Sequence, residues 1–195
     1  MRLLERADSS DTSALLRDLP MTCDGVKIQC LWYYDRQAPL RDVVHALKYS
    51  NRPWHGDFLA RAMASRLPDL ESADAIVPLP LHRVRLLERG YNQALWIAAE
   101  LARLVHAPLV SGVLSRTRPT LTQTSLSRSD RWLNVRDAFT VDTHMLNADA
   151  LGPGCRVVLV DDVVTTGATV LAAARALRAA GVQHVTVAAA GLARA

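Results

Sequence analysis

The chain has 195 residues, of which 50% are hydrophobic and 22% charged, a composition that excludes a disordered chain and suits one globular domain with or without a small appendage. No apolar run approaches the ~20 residues that a membrane helix needs, and the N-terminus lacks the apolar segment of a signal peptide, so we expect a cytoplasmic protein without a membrane partner. The net charge of +4 is concentrated in residues 83–136, where nine arginines and no lysine accompany three acidic residues; this excess favours phosphate or nucleic-acid recognition, and an ordinary solvated basic face is the open alternative.

The first half of the chain alternates strand and helix patterns after a weakly patterned start. Residues 1–25 are predicted to form an N-terminal arm, either mobile or folded as a short helix, and residues 26–195 a single domain. β-branched runs and apolar residues at helical spacing identify the elements of this half. In chain order they are a strand at 26–34, a helix from Pro39, a helix at 54–67, a strand at 75–79 and a helix that begins near Asn92.

The second half ends in a strongly patterned strand, helix and strand. In chain order, its elements are a strand at 109–114, a polar stretch at 115–130, strands at 138–141 and 156–160, a helix at 168–180 and a strand at 184–190. Gly181 stands where a glycine commonly ends a helix. The last three elements form a right-handed βαβ unit. We therefore predict an α/β fold with an open, mainly parallel twisted sheet flanked by helices.

The segment VVLVDDVVTTGAT, residues 157–169, carries the clearest functional pattern. Asp161 and Asp162 directly follow the predicted strand, and ligands of open α/β sheets bind beyond the carboxyl ends of the strands. Adjacent carboxylates suit either the vicinal hydroxyls of a sugar or a bound cation. The loop at 165–169 leads into a helix N-terminus, which favours an anion. The segment therefore predicts a ribose beside a phosphate, with a helix cap and a common Thr-Gly turn as the ordinary alternatives, and it matches neither a P-loop nor a dinucleotide fingerprint.

This segment resembles the signature with which type I phosphoribosyltransferases bind phosphoribosyl diphosphate (PRPP). Five further segments occur in the order seen in the ComF-type members of that family, a group that includes the proteins labelled GntX. They are Leu47–Tyr49, Val77–Pro80, Arg89–Gln93, Thr120–Gln123 and Arg131 with Asn134–Val135. The resemblance covers roughly residues 33–192 and implies the type I phosphoribosyltransferase fold.

The resemblance implies a role for each part of the signature. Asp161 and Asp162 would contact the ribose hydroxyls and, together with Arg89, would form the catalytic group. The segment that would hold the 5-phosphate, the phosphate loop, consists of Thr165, Thr166, Gly167, Ala168 and Thr169.

Two more loops are implied by the family. A loop after an earlier strand binds the diphosphate, and residues 80–92, the diphosphate loop, fit this position with three candidate partners, Arg83, Arg85 and Arg89. A long loop forms a mobile hood over the site, and residues 115–130, the hood loop, fit with three inward-reaching candidates, Arg116, Arg118 and Gln123. A solvated turn and an ordinary surface loop are the open alternatives for these two segments.

The implied activity is the transfer of ribosyl 5-phosphate from PRPP to an acceptor with release of diphosphate. Mg²⁺ would arrive with PRPP, or with a related ribose 5-phosphate compound, and no metal ligand is assigned to the protein. No segment identifies the acceptor, such as a purine, orotate or uracil. The alternative function is that of a non-catalytic competence factor in DNA uptake or processing, whose partners would be single-stranded DNA or DNA-processing proteins. Nucleotide-linked regulation is a third alternative, and a homodimer is a candidate assembly.

One departure from the family pattern concerns zinc. Many members of this group carry an N-terminal zinc ribbon with paired CxxC motifs, whereas residues 1–30 hold only Cys23 and Cys30, which are separated by six residues and not closely paired. We therefore expect no zinc, and we expect these cysteines to serve as small hydrophobic residues.

Overall fold

The computed structural model describes residues 5–12, 25–35, 39–49, 54–117, 137–148, 151 and 154–193. Several positions named above lie outside the described residues. They are Cys23, Arg118, the segment Thr120–Gln123, Arg131 and Asn134–Val135.

Four parallel strands form the central sheet. They are β1 (Val26–Tyr34), β2 (Ala75–Pro78), β5 (Arg156–Val164) and β6 (His184–Ala193). Between β2 and β5 in sequence, two short strands, β3 (Leu114–Arg116) and β4 (Phe139–Val141), form a second sheet. Their order across the sheet is β1-β6-β5-β2, and every neighbouring pair is parallel. Parallel neighbours need a long crossover, and helices supply it here. The predicted α/β fold with an open, mainly parallel sheet is confirmed.

Helices cover both faces of this sheet. They are α1 (Pro39–Tyr49), α2 (His55–Ala64), α3 (Arg83–Arg89), α4 (Gln93–Val105), α5 (Thr143–Ala148) and α6 (Ala168–Ala179), with one 3₁₀ turn at Pro68–Leu70. Successive strand residues project to opposite faces, so Val158 and Val160 pack with α1, α2 and α4, whereas Val157 and Leu159 pack with α6. None of the described helices is long and apolar enough to cross a bilayer.

The strand predicted at 109–114 is misplaced. Leu109 makes only a single parallel bridge to Ile76, at the outer edge of β2. Gly112, with φ +97°, then turns the chain, and β3 begins afterwards at Leu114–Arg116. β3 pairs antiparallel with β4 (Phe139–Val141), so residues 115–116, predicted as the start of the hood loop, lie in a strand. The sequence pattern predicted one strand where the structure has two extended segments, the bridge at Leu109 and the strand β3.

The segment predicted as the diphosphate loop, residues 80–92, is not a loop throughout, because it contains α3. His82 caps this helix with its Nδ1, which accepts a hydrogen bond from Val84 N at 3.3 Å, and Gly90 ends it at φ +80°. No residue of α3 is buried. A seven-residue helix without a buried face leaves no apolar periodicity from which a sequence could predict it.

The strand predicted at 156–160 continues through both aspartates to Val164. Residues 156–164 pair with β6 as far as the Val164–Leu192 register, whereas β2 ends at the Pro78–Val160 register. The last four residues of β5 are therefore paired on the β6 side only. The open side of β5 beyond β2 is where the pocket described below lies.

The described part of the N-terminal arm lies against β1. Tyr33 N donates to Glu5 O at 2.9 Å and Ala7 N donates to Leu31 O at 3.2 Å, an antiparallel contact on the outer edge strand. The hydroxyl of Tyr33 also donates to Asp11 at 2.6 Å. An exposed strand edge carries unpaired backbone groups, and this contact covers part of it. The mobility and the domain boundary of the arm stay predictions.

Candidate functional site

A pocket opens at the carboxyl ends of β2 and β5. Four segments line it: the residues after β2, the α3–α4 junction, β3, and the β5–α6 connection. The polar and glycine residues among its lining are Arg89, Asn92, Gln93, Arg116, Asp161, Asp162, Thr165, Gly167 and Thr169. Ligands of open α/β sheets bind in this position.

The two aspartates have different surroundings. Asp162 is 6% exposed and projects towards α1, where Lys48 Nζ lies 2.6 Å from its Oδ2. Its Oδ1 accepts a hydrogen bond from Val163 N at 2.8 Å. Asp161 is half-buried and lies within electrostatic range of Cys30 and Arg116, which belong to the α6 side of the sheet. Because β5 continues as a strand, neighbouring carboxylates project to opposite faces.

Burial and charge shift the ionisation of this group. The pKa of Asp161 is raised to about 8, mainly by burial. The Asp162 carboxylate also raises this pKa, and its effect is larger than the opposite effect of Lys48. The same burial, with the Asp161 charge, raises the pKa of Cys30 to about 12, so this thiol stays protonated. Burial opposes the charge of Lys48, but the two carboxylates outweigh it, and the pKa of Lys48 is raised. The pKa of Asp161 therefore lies well above that of an ordinary aspartate.

The phosphate loop connects β5 to α6. Gly167 occupies the N-cap position of α6 with φ +77°, a left-handed conformation that glycine adopts readily, and no side chain caps the helix. Thr165, Gly167 and Thr169 line the pocket, whereas Thr166 and the buried Ala168 do not. The first N–H groups of a helix have no partner within that helix. This end of α6 can therefore bind an anion in the pocket.

The segment Arg89–Gln93 joins the parts of the site to one another. The Arg89 guanidinium donates to Gln93 Oε1 at 2.9 Å and lies 5.8 Å from the centre of the Tyr49 ring. Tyr91 donates its hydroxyl hydrogen to Leu47 O, at the end of α1. Asn92 caps α4 through Ala94 N at 3.1 Å and donates to Leu79 O at 3.0 Å. These contacts attach α1, β2 and α4 to the wall of the pocket.

The predicted arginines are placed unequally. Arg89 and Arg116 line the pocket, with Arg116 projecting from β3 and lying 5.6 Å from the centre of the Phe139 ring. Arg83 and Arg85 stand on α3 outside the pocket lining; Arg83 is exposed, and Arg85 pairs with Glu88 at 2.9 Å. The structure thus brings together Arg89, Arg116, the aspartates and the phosphate loop. Arg118 and Gln123 lie outside the described residues.

Sequence reasoning did not assign three residues of the site. Asn92, Gln93 and Lys48 all lie in the segments shared with the family, but the resemblance attaches no role in the site to any of them. For Lys48 the available signal was a basic residue in the last turn of α1, beside the buried Leu47. Nothing in the sequence places that turn next to β5, because the contact joins segments far apart in the chain.

Several known proteins resemble this chain in sequence. The profile of the family described as "Phosphoribosyl transferase domain" matches residues 92–194. The chain is 36% identical to Competence protein F of Haemophilus influenzae over 163 residues, 80% of this chain and 69% of that protein. It is 35% identical to the DNA utilization protein YhgH of Escherichia coli over 159 residues, 78% of this chain and 67% of that protein.

Among solved structures, the glutamine PRPP amidotransferase of B. subtilis, complexed with ADP and GMP, aligns with a TM-score of 0.48 at 22% identity. The alignment covers 74% of this chain and 30% of that one, so the chain spans about a third of the amidotransferase. The purine phosphoribosyltransferase of Pyrococcus horikoshii aligns with a TM-score of 0.44 at 19% identity, over 71% of this chain and 74% of that one.

Proposed function

Because the chain belongs to the phosphoribosyltransferase domain family and to its ComF-type members, we propose that it binds PRPP and transfers the ribosyl 5-phosphate group to an acceptor. One observation carries the proposal. A half-buried carboxylate, Asp161, lies one loop away from the uncapped N-terminus of α6, in a pocket that Arg89 and Arg116 also line. This spacing of an acid, an anion site and two cations fits a sugar that carries phosphate groups at both ends.

In this proposal each part of PRPP has its own partner. The hydroxyls of the ribose donate to the acidic pair, Asp161 and Asp162, and the 5-phosphate accepts hydrogen bonds from the phosphate loop, residues 165–169. Arg89 and Arg116 contact the diphosphate, since guanidinium groups bind phosphate oxygens with paired hydrogen bonds. Arg118 and Gln123 of the hood loop stay predicted contacts.

Mg²⁺ fits this arrangement as a companion of the substrate. The described residues contain no group of three or more His, Cys, Asp or Glu side chains able to hold a metal ion. Mg²⁺ in phosphate sites typically binds substrate phosphates and few protein ligands. We therefore assign the ion to the diphosphate of PRPP, where it would neutralise the charge of the leaving group.

The protein's own residues would stabilise a transition state with positive charge on the anomeric carbon. A lone pair of the acceptor forms the new bond to the anomeric carbon. At the same time the bond between this carbon and the diphosphate oxygen breaks, and the electron pair of the broken bond leaves with the diphosphate. Ionised Asp161 lowers the energy of the cationic sugar, and Arg89 and Arg116 that of the departing anion. A hood loop closed over the pocket would exclude water and so prevent hydrolysis of PRPP.

Calorimetric titration with PRPP and Mg²⁺ tests the binding half of this proposal. Saturable binding is expected for the unmodified chain, and release of diphosphate in a screen of bases and amines would then establish turnover and identify the acceptor. Binding without any turnover would restrict the protein to ligand recognition.

A second candidate function is the handling of single-stranded DNA. Two observations favour it: the names Competence protein F and DNA utilization protein YhgH of the relatives, and the surface of α3. That helix exposes Arg83 beside Leu87, which is 76% exposed. A gel shift of single-stranded DNA that weakens with salt, and is lost in a variant with Arg83 and Arg85 changed to Ala, would support this function. The same variant should keep its affinity for PRPP, because neither side chain lines the pocket.

A further inference from the structure

The acidic pair beside the phosphate loop is asymmetric in burial and ion pairing. Asp162 Oδ1 accepts a hydrogen bond from Val163 N at 2.8 Å, and its buried Oδ2 lies 2.6 Å from Lys48 Nζ in an ion pair. Asp161 accepts one hydrogen bond, from Asp162 N to Oδ1 at 2.8 Å. Asp161 is the more exposed of the two side chains, since Asp162 is buried. A ligand in the pocket therefore reaches the Asp161 carboxylate more readily.

The position of Lys48 is fixed from two directions. Leu47 and Val44 are fully buried, which orients α1 against the sheet. The Tyr91 hydroxyl then donates to Leu47 O and attaches the last turn of α1 to the Arg89–Gln93 segment. The side chain of Lys48 is 21% exposed, and its partner is more deeply buried. Attraction between shielded charges is stronger than between charges in water, so this ion pair differs from the chain's surface pairs.

We propose that Lys48 is a positioning residue, whose ion pair ties down Asp162 and leaves Asp161 as the carboxylate that meets the ribose. The proposal rests on the proposed function, because it divides the work of the acidic pair within the same PRPP site. Lys48 acts through Asp162, whose backbone N–H in turn orients Asp161 Oδ1. The charged and titratable groups around Asp161 are Asp162 on β5, Lys48 on α1, Cys30 on β1 and Arg116 on β3, with Arg89 of α3 acting on Lys48.

Single substitutions distinguish the two aspartates. Asp161→Asn should weaken PRPP binding by about 10- to 100-fold, the range for a lost charge-assisted hydrogen bond, and Asp162→Asn should weaken it several-fold less. Lys48→Met should weaken PRPP binding, and Lys48→Arg should restore it to within about threefold. Lys27→Met is the matched control, since it breaks the 3.1 Å pair with Asp69 on the exposed surface, and its PRPP affinity should not change.

The double variant Lys48→Met with Asp162→Asn tests whether Lys48 acts through its partner. Both substitutions break the same ion pair. The double variant should therefore bind PRPP no more weakly than whichever single variant has the lower affinity for PRPP. The double variant leaves no unpaired buried charge, so it should fold even if Lys48→Met does not. Thermal unfolding of the double variant checks that it is folded. Losses that add would mean that Lys48 contacts the ligand directly, and this result would overturn the proposal. So would an Asp162→Asn loss as large as that of Asp161→Asn.

The pH profile separates positioning from a merely structural role. The charge of Lys48 lowers the pKa of Asp161, so Lys48→Met should move the midpoint of PRPP affinity to higher pH, whereas Lys48→Arg should not. An unchanged midpoint in Lys48→Met contradicts the proposal.

The ion pair can also be measured without PRPP. In ¹⁵N NMR spectra of the free protein, a slowly exchanging ammonium signal of Lys48 should persist in Asp161→Asn and vanish in Asp162→Asn. A signal that persists in Asp162→Asn would refute the pairing. A chain that shows the expected signal but does not bind PRPP would refute the proposed function and leave the pairing intact.

Discussion

The affinity for PRPP should rise with pH across the neutral range. The perturbation is the protonation of Asp161, whose pKa burial raises to about 8. A ribose hydroxyl donates to an ionised carboxylate, and a protonated Asp161 must lose its proton before it can accept in the same way. The binding-competent fraction of the protein therefore grows as the pH rises through this pKa, and it levels off above it.

The size of this effect follows from the ionised fraction. With a pKa of about 8, about 1% of Asp161 is ionised at pH 6 and about half at pH 8. The apparent dissociation constant is the intrinsic constant divided by the competent fraction. Affinity should therefore increase by about 50-fold between pH 6 and pH 8, and by less than about twofold from pH 8 to pH 9.

Calorimetric titrations at half-unit pH steps measure this dependence. A phosphate monoester such as the 5-phosphate of PRPP itself titrates near pH ~6, so each affinity is divided by that of Asp161→Asn at the same pH. This ratio should rise by at least tenfold from pH 6 to pH 8. A ratio that stays flat, or that falls as the pH rises, would refute the assignment of Asp161 as the titrating ribose ligand.

Three further variants test other parts of the structure. The pKa of Asp161 in the folded protein lies above its unfolded value of 3.8, so stability present below pH 3.8 is lost as the pH rises towards 8. Asp161→Asn removes the cost of this buried charge and should raise the unfolding midpoint at pH 8.5 by about 2–4 °C per 1 kcal/mol of that cost. A lower midpoint contradicts this. Asn92→Ala removes the cap of α4 and should cost about 0.5–2 kcal/mol in urea unfolding, whereas the exposed Ser65→Ala should change the free energy of unfolding by less than about 0.5 kcal/mol. Gly167→Ala should cost about 1–2 kcal/mol because of its positive φ and should also weaken PRPP binding; Gly181→Ala, with φ +106° at the other end of α6, should cost similar stability and leave PRPP affinity unchanged.

The elements with strong periodicity were predictable from the sequence. β1 and β6 begin where their β-branched runs begin, and α4 begins directly after its cap, Asn92. The turn before α6 was also predictable, because a glycine stands between threonines at the start of a helical pattern, and Gly167 is the N-cap of α6. Its role in binding phosphate stays a prediction. These features depend on neighbours within a few residues, which a sequence displays directly.

Other features depend on contacts between distant segments, and the sequence does not display them. The aspartates suggested the end of a strand, but pairing with β6 carries β5 on to Val164. That continuation sends Asp161 and Asp162 to opposite faces and sets Asp162 against Lys48. Two adjacent acids that looked equivalent in the sequence therefore differ in burial and in their ionic partners. α3 was missed for another reason, because a short helix without a buried face has no apolar pattern.

The most direct test of PRPP binding at the acidic pair is a calorimetric titration of the unmodified chain and of the Asp161→Asn/Asp162→Asn double variant with PRPP and Mg²⁺. Circular dichroism of both proteins confirms beforehand that they have the same fold. Saturable binding by the unmodified chain and a loss of at least about 10-fold in the double variant are expected. An unchanged affinity in the double variant, or no binding by the unmodified chain, would refute the PRPP site.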